Sequence, residues 1–327
     1  MIKKYGKKFL NRLGLQRVSK LQDSTFFIRP NRFASIDLRE LVLQENKEVF
    51  NRYDIIVRYL AIENYYKKNE TGFALYKKMQ VARKGGDYNE RMDTFKELIQ
   101  SYEKGYKRES HILLDSNLCL IDGSHRIALG LYNKFHEISC FVEPQSRHIK
   151  YGIDWFIENK FSLEELNLLI EKFREIKQEV TKPFVCILWS PAQSFFDEIT
   201  ELLKISYKVL SYKDFAYNDN QFVAIAKNIY VADNIESWKI EEKIKMIVSC
   251  PVKKIRVIEL EIERPKFRLN DISSETLSGE GETIKRIIKN AYQDKIENYF
   301  HDVIIHIGDN YAHNEYISKL FNLKPQA

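Results

Sequence analysis

The chain has 327 residues, 44% of them hydrophobic and 30% charged. That is too long for one typical core, and the composition excludes collagen-like, low-complexity and disordered classes. The formal charge of +6 is uneven: Lys3, Lys4, Lys7, Lys8, Arg12, Arg17 and Lys20 put +7 into residues 1–20, which hold no Asp or Glu, and leave −1 for the rest. A nucleic-acid-binding body would carry clustered basic charge, so no nucleic acid is expected as partner.

The leader MIKKYGKKFLNRLGLQRV lacks the continuous apolar stretch of a signal peptide. Phe9, Leu10, Leu13 and Leu15 interleave with its charges. Two readings stay open: a basic amphipathic segment that visits an anionic membrane face, and a solvated terminus. No stretch reaches the roughly 18 apolar residues that span a bilayer. Cys119, Cys140, Cys186 and Cys250 are far apart and form no CxxC pair. They read as thiols in a reducing compartment. The expected location is the cytoplasm, at the inner membrane face if the leader engages it.

In chain order, Phe26–Ile28 reads as a strand closed by the turn Arg29-Pro30-Asn31, since Pro30 holds Arg29 extended. Helical spacing predicts two helices over 36–69 and another over 71–82. Lys84-Gly85-Gly86-Asp87 is a turn. A helix with Met92, Phe95, Leu98 and Ile99 on one face comes next, ended by Gly105. Strands are expected at 112–114 and 118–121 around the hairpin turn Asp115-Ser116-Asn117, then a helix over 125–133 and a strand over 138–142. Pro144–Lys150 reads as a domain boundary. Beyond it helices are predicted at 151–158 and 162–179, the second opened by a Ser162/Glu165 capping box. Strands at 184–189, 207–210, 255–262 and 303–307 alternate with helices to about 203 and at 235–247, 281–298 and 313–321. The expected fold class is therefore α/β in the second half. The expected divisions are 1–20, 21–147 and 148–327.

The segment Leu120-Ile121-Asp122-Gly123-Ser124-His125-Arg126 carries the chemistry. A strand ends and a helix starts at a Gly turn. The first amides of a helix lack internal partners and sit at the positive end of its dipole, so an anion is stabilised there. Gly123 lets the backbone approach a ligand. Ser124 is able to cap the helix and donate to an oxygen. Arg126 is able to grip a phosphate bidentately. Asp122 would hold a metal ion or accept a hydroxyl proton, and His125 would move a proton. The plain alternative is an Asp-Gly turn with a capping serine and a surface arginine. Arg83 beside Gly85-Gly86 would add a second phosphate contact, or lie in a solvated turn. In the second half, His306, Asp309 and Asn310 cluster at a strand end, where α/β sheets place ligands. They read as a second site for substrate or metal, or as a buried histidine with an Asx turn after it.

Strand–Asp-Gly-x-His-Arg–helix resembles the signature of the ParB/sulfiredoxin superfamily, here Ile121-Asp122-Gly123-Ser124-His125-Arg126-Ile127-Ala128. Ile28-Arg29-Pro30-Asn31-Arg32-Phe33 is similar to that family's opening strand and turn, and 138–142 to its next strand. The resemblance covers about 20–145 and implies an α+β domain that handles phosphates. It lies closest to the free serine kinases. Position 124 is Ser where sulfiredoxins need a reactive Cys, and no basic stripe comes after it as in ParB proteins. It implies Asp122, His125 and Arg126 as catalytic residues, Gly123, Ser124, Arg29 and Asn31 with Arg83 as phosphate contacts, ATP or another nucleoside phosphate as donor, and Mg²⁺ held at Asp122. An acidic base near the first strand would be Asp37 or Glu40. The insertion over 50–82 departs from the family's compact core.

The leading expectation is a nucleotide-dependent kinase acting on a hydroxyl of a small molecule or sugar. The pattern of the second half also resembles proteins of bacterial surface-polysaccharide gene sets. The alternatives are a ParB-like nucleotide-binding protein acting on nucleic acid and a non-catalytic scaffold.

Overall fold

The computed structural model describes residues 16–21, 24–28, 32–44, 52–84, 88–105, 111–145, 151–231, 236–270, 275–297, 299 and 303–323. The chain forms two compact units, Met1–Thr181 and Lys182–Ala327, and its fold class is α/β.

The first unit opens with β1 (Gln16–Leu21) and β2 (Ser24–Ile28), an antiparallel pair. Residues 16–20, expected to end the leader, are thus strand; the leader's residues 1–15 lie outside the described residues. β3 (Arg32–Asp37) runs into α1 (Leu38–Gln44). Then come α2 (Tyr53–Tyr65), α3 (Gly72–Lys84), α4 (Tyr88–Glu103), β4 (Ile112–Leu114), β5 (Leu120–Asp122), α5 (Ser124–Tyr132) and β6 (Glu137–Val142). The sheet order is β3-β6-β4-β5. β3 and β5 pair antiparallel with their neighbours, and β4 runs parallel to β6. Along β3, Ala34 and Ile36 are buried while Phe33 and Ser35 are exposed, the period of two that marks a sheet with one covered face. Leu41 and Val42 of α1, Ile55 and Ile56 of α2, and Ile127 of α5 meet Leu114 and Leu120 in the core.

α2 is buried from Tyr53 to Arg58 without interruption. Such a helix is a core element and carries no solvent stripe, yet it includes Asp54 and Arg58. Its C-terminal part lies close under α3: a Cβ on Gly72 would stand 2.0 Å from the Leu60 carbonyl oxygen. Asn69 prepares that approach, its Oδ1 accepting from the Gly72 N–H at 2.9 Å.

α6 (Ile153–Glu158) and α7 (Leu163–Val180) fall in the first unit, beyond the division expected between 147 and 148. The physical reason is aromatic packing. Phe156 and Phe173 close on Tyr53 with ring centroids 6.4 and 5.9 Å away, and Lys172 pairs with Glu63 at 3.1 Å. The Ser162/Glu165 capping box forms reciprocally.

In the second unit β7 (Phe184–Leu188), α8 (Phe196–Ser206), β8 (Lys208–Ala216), α9 (Asp219–Val231), α10 (Ser237–Ser249) and β9 (Lys254–Glu261) come first. A hairpin of β10 (Phe267–Leu269) and β11 (Thr276–Ser278), then α11 (Gly279–Tyr292), β12 (Ile305–Ile307) and α12 (Tyr311–Leu320) complete it. The sheet order is β12-β7-β9-β8 and every pairing is antiparallel. β7 is buried along its whole length. Val185 and Ile187 face Phe222, Ala226, Ile247 and Ile317 on one side. Arg256 of β9 reaches Thr200 of α8 at 3.2 Å. Because the strands alternate in direction, the ligand-end rule for parallel sheets does not apply to β12.

Gly72→Ala is expected to destabilise the first unit by about 2 kcal/mol or more, since the new methyl meets backbone that cannot move aside. Urea unfolding checks this, with a shift of less than about 0.5 kcal/mol counting against the close approach of α3 to α2.

Candidate functional site

At the end of β5 the chain turns into α5 through Gly123, whose φ is 115°. A Cβ there would lie 2.5 Å from Cγ2 of Ile112, so both conformation and space require glycine. Gly123 is the N-cap of α5, no side chain caps the helix, and its first turn holds no acidic residue. Among the described residues the carboxylate that meets this helix start is Asp54, through the Ser124 hydroxyl, while Asp122 lies one residue before the N-cap.

The Ser124 hydroxyl is committed elsewhere. It donates to Oδ2 of Asp54 at 2.9 Å and accepts from Arg52 at 2.8 Å. The expected capping and phosphate-donating role thus gives way to a structural one. Arg52 Nε also donates to Asp54 Oδ1 at 2.8 Å, and Arg58 to Oδ2 at 3.0 Å. Asp54 is 0% exposed and Arg58 2%. Burial alone would raise the Asp54 carboxyl; Arg52 and Arg58 overcome it and hold the group well below the usual carboxylate range. Burial pushes the Arg58 guanidinium down to about 10, against the pull of Asp54. Sequence reading missed Arg52, Asp54 and Arg58. The available signal was their charge inside an otherwise apolar helical stretch, with Asp54 and Arg58 four residues apart.

His125 is likewise drawn inward. Its Nε2 is 2.9 Å from the Tyr76 hydroxyl, and its ring centroid is 4.5 Å from that of Phe95. Burial, then the charges of Arg58 and Arg83, hold its pKa well below the ordinary histidine value. It is a neutral, packed ring, and the expected proton-transfer role is replaced by support of α5. Arg83 donates from Nε to the Tyr151 hydroxyl at 3.1 Å. Arg126 donates to the His111 carbonyl at 3.0 Å, and among the described residues no carboxylate pairs with it. Asp122 ends β5 half-buried, in register with Leu113. Asp37 is held by Arg39 at 2.9 Å and Glu40 is buried. Arg29 and Asn31 lie outside the described residues, as do Gly85, Gly86 and Asp87.

The guanidinium groups of Arg58, Arg83 and Arg126 act to lower the His125 pKa, and the Asp54 carboxylate opposes them. Among the described residues no three His, Cys, Asp or Glu side chains converge to hold a metal. A nucleotide-bound Mg²⁺ needs only one or two protein carboxylates beside the phosphates, and the half-buried Asp122 fits that demand.

The second-unit cluster is built differently. His306 is buried on β12, its ring 5.3 Å from His313 and 5.5 Å from Tyr230. Burial, with His313 and Lys285 adding to it, holds its pKa well below the ordinary value. Asp309 pairs with Lys285 at 3.0 Å. Asn310 caps α12, accepting from the His313 N–H at 2.8 Å. His306, Asp309 and Asn310 are adjacent as expected, but as a buried ring, an ion pair and a helix cap they present no shared ligand-binding geometry. His301 and Asp302 lie outside the described residues.

No protein-family model and no curated protein matches the chain. Among solved structures, a nucleoside diphosphate kinase of Aquifex aeolicus is 14% identical, over 43% of this chain and 94% of that one, at a TM-score of 0.30. The halophilic nucleoside diphosphate kinase of Halobacterium salinarum, in complex with CDP, is 12% identical over 43% and 87%, at 0.29. That of Borrelia burgdorferi, with bound vanadate and ADP, is 13% identical over 41% and 83%, at 0.25. Likenesses this slight bear on neither fold nor activity. Among the described residues no helix is long and apolar enough to cross a membrane.

Asp54→Ala strands two buried guanidinium groups and is expected to cost about 3–5 kcal/mol of stability, read by denaturant unfolding; a cost under about 1 kcal/mol would contradict the buried network. In the second unit, His306 and His313 are neutral when folded. Their contribution is present above the unfolded histidine pKa of about 6.5 and is lost as pH falls below it, by up to about 1.4 kcal/mol per pH unit for each ring. Thermal unfolding between pH 7.5 and 5 should show this fall, and His306→Gln should flatten it.

Proposed function

We propose that the first unit binds the phosphate tail of a nucleotide at the start of α5, and that the protein is a nucleotide-dependent phosphotransferase with a hydroxyl acceptor on a small molecule or sugar. The observation that carries this reading is Arg126 at the start of α5: its guanidinium donates to the His111 carbonyl, its buried Nε has no hydrogen-bond partner, and among the described residues no carboxylate pairs with it. The amides that open α5 have no side-chain cap, and an anion is stabilised at such a helix end. The Asp-Gly-Ser-His-Arg resemblance to the ParB/sulfiredoxin superfamily supports the same reading.

In this reading the α5 amides and Arg126 hold the phosphates, with Arg83 as a second contact. Asp122 would hold the Mg²⁺ that accompanies the nucleotide, and the ion would supply neutralisation of phosphate charge. Catalysis is then positioning and charge stabilisation. Ser124 and His125 act through Asp54 and Tyr76 as supports and do not touch the reacting atoms.

The test is turnover of ATP, CTP and GTP with Mg²⁺ by the full chain, with and without sugar and amino-acid acceptors. Arg126→Ala should lower nucleotide affinity about 10- to 100-fold, the worth of a charge-assisted contact, while costing only about 1 kcal/mol of stability from its lost bond to the His111 carbonyl. Equal affinity in the variant would remove Arg126 from the site. DNA binding that weakens steeply with salt would favour the ParB-like nucleic-acid reading instead.

A further inference from the structure

One row crosses the first sheet and is exposed at its β3 end. Phe33 of β3 lies opposite Phe141 of β6, Phe141 beside Leu113 of β4, and Leu113 opposite Asp122 of β5. Three strand spacings make that row about 14 Å long. It is aromatic at one end and acidic at the other, with Leu113 fully buried between them.

Phe33 is 51% exposed. A lone exposed phenylalanine is ordinary, but this one is a corner of a three-ring cluster. Its centroid is 5.1 Å from that of His111 and 5.5 Å from that of Phe141, and His111 and Phe141 are 4.9 Å apart. Both neighbours meet Phe33 edge-to-face, so neither lies flat on its ring. The cluster is also continuous with the phosphate corner, because the carbonyl that receives Arg126 belongs to His111.

We propose that Phe33, backed by Phe141 and His111, is the stacking platform for the base of the nucleotide whose phosphates are held at Arg126. The inference rests on the phosphate reading and adds where the base lies. An exposed aromatic ring on an edge strand accepts any base, because every base has a π-face. The cation beside the platform suits the negative tail of the same molecule and would not suit a plain apolar ligand.

The experiment is equilibrium binding to the full chain of ATP and CTP, each with Mg²⁺, and of inorganic tripolyphosphate. Phe33→Ala should weaken both nucleotides about 5- to 100-fold and leave tripolyphosphate unchanged. Phe33→Trp should restore the nucleotides, and Arg126→Ala should weaken all three. Nucleotide affinity untouched by Phe33→Ala, or lost in parallel with tripolyphosphate, overturns the platform while leaving the phosphate corner standing. Failure of tripolyphosphate and both nucleotides to bind the unsubstituted chain overturns the corner and the platform together.

Discussion

The first unit depends on one carboxylate kept from water. Asp54 has two guanidinium partners and a hydroxyl partner. Each partner comes from a different place in the chain's path. Arg52 precedes α2, Arg58 lies one turn along it, and Ser124 opens α5. Arg52 also donates to the Leu120 carbonyl of β5. One side chain thereby fixes α2, β5 and the first residue of α5 to each other. A buried pair of this kind is weak evidence for stability, because apolar side chains of similar volume would serve as well. What apolar packing would not supply is direction: the network allows one orientation of the α5 start, and the amides after Gly123 inherit it.

The same network sets the charge of the corner. Its guanidinium groups stay protonated across the physiological range, and His125 is kept neutral by burial and by the cations around it. The positive potential therefore does not switch with pH near neutrality. An anion arriving there meets fixed charges and fixed dipoles, the preorganised kind of electrostatics that phosphoryl transfer uses. His125 contributes shape: its ring packs against both Tyr76 and Phe95, which also touch each other.

The turn into α5 was legible because its chemistry is local. Asp-Gly breaks a strand, an apolar helical pattern comes directly after it, and Gly123 then satisfies a backbone angle and a close contact at once. The Ser162/Glu165 cap was legible for the same reason. Arg52, Asp54 and Arg58 were not, since periodicity assigns charged positions to solvent and only tertiary packing shows that α2 has no solvent side. The domain division failed where Pro144 and Lys150 look like a linker, while Phe156 and Phe173 tie α6 and α7 back to Tyr53. In the second unit strands and helices were largely seen, but strand direction is not written in alternation. The antiparallel sheet removed the reason for placing a ligand at the end of β12.

The two polar clusters show why adjacency of polar residues is a weaker guide than charge balance. Around β12, Lys285 is met by both Asp309 and Glu282, the histidines are neutral, and Asn310 spends its side chain on a helix end. Every charge there has an opposite within the fold, so a ligand would displace partners and gain little. At the start of α5 the Arg126 guanidinium has a backbone carbonyl as its partner and, among the described residues, no carboxylate. A helix end that points the same sign of dipole into the same space adds to that cation. An incoming anion would lower the electrostatic energy there without displacing a carboxylate from Arg126, which is the ground for proposing the chemistry at this corner.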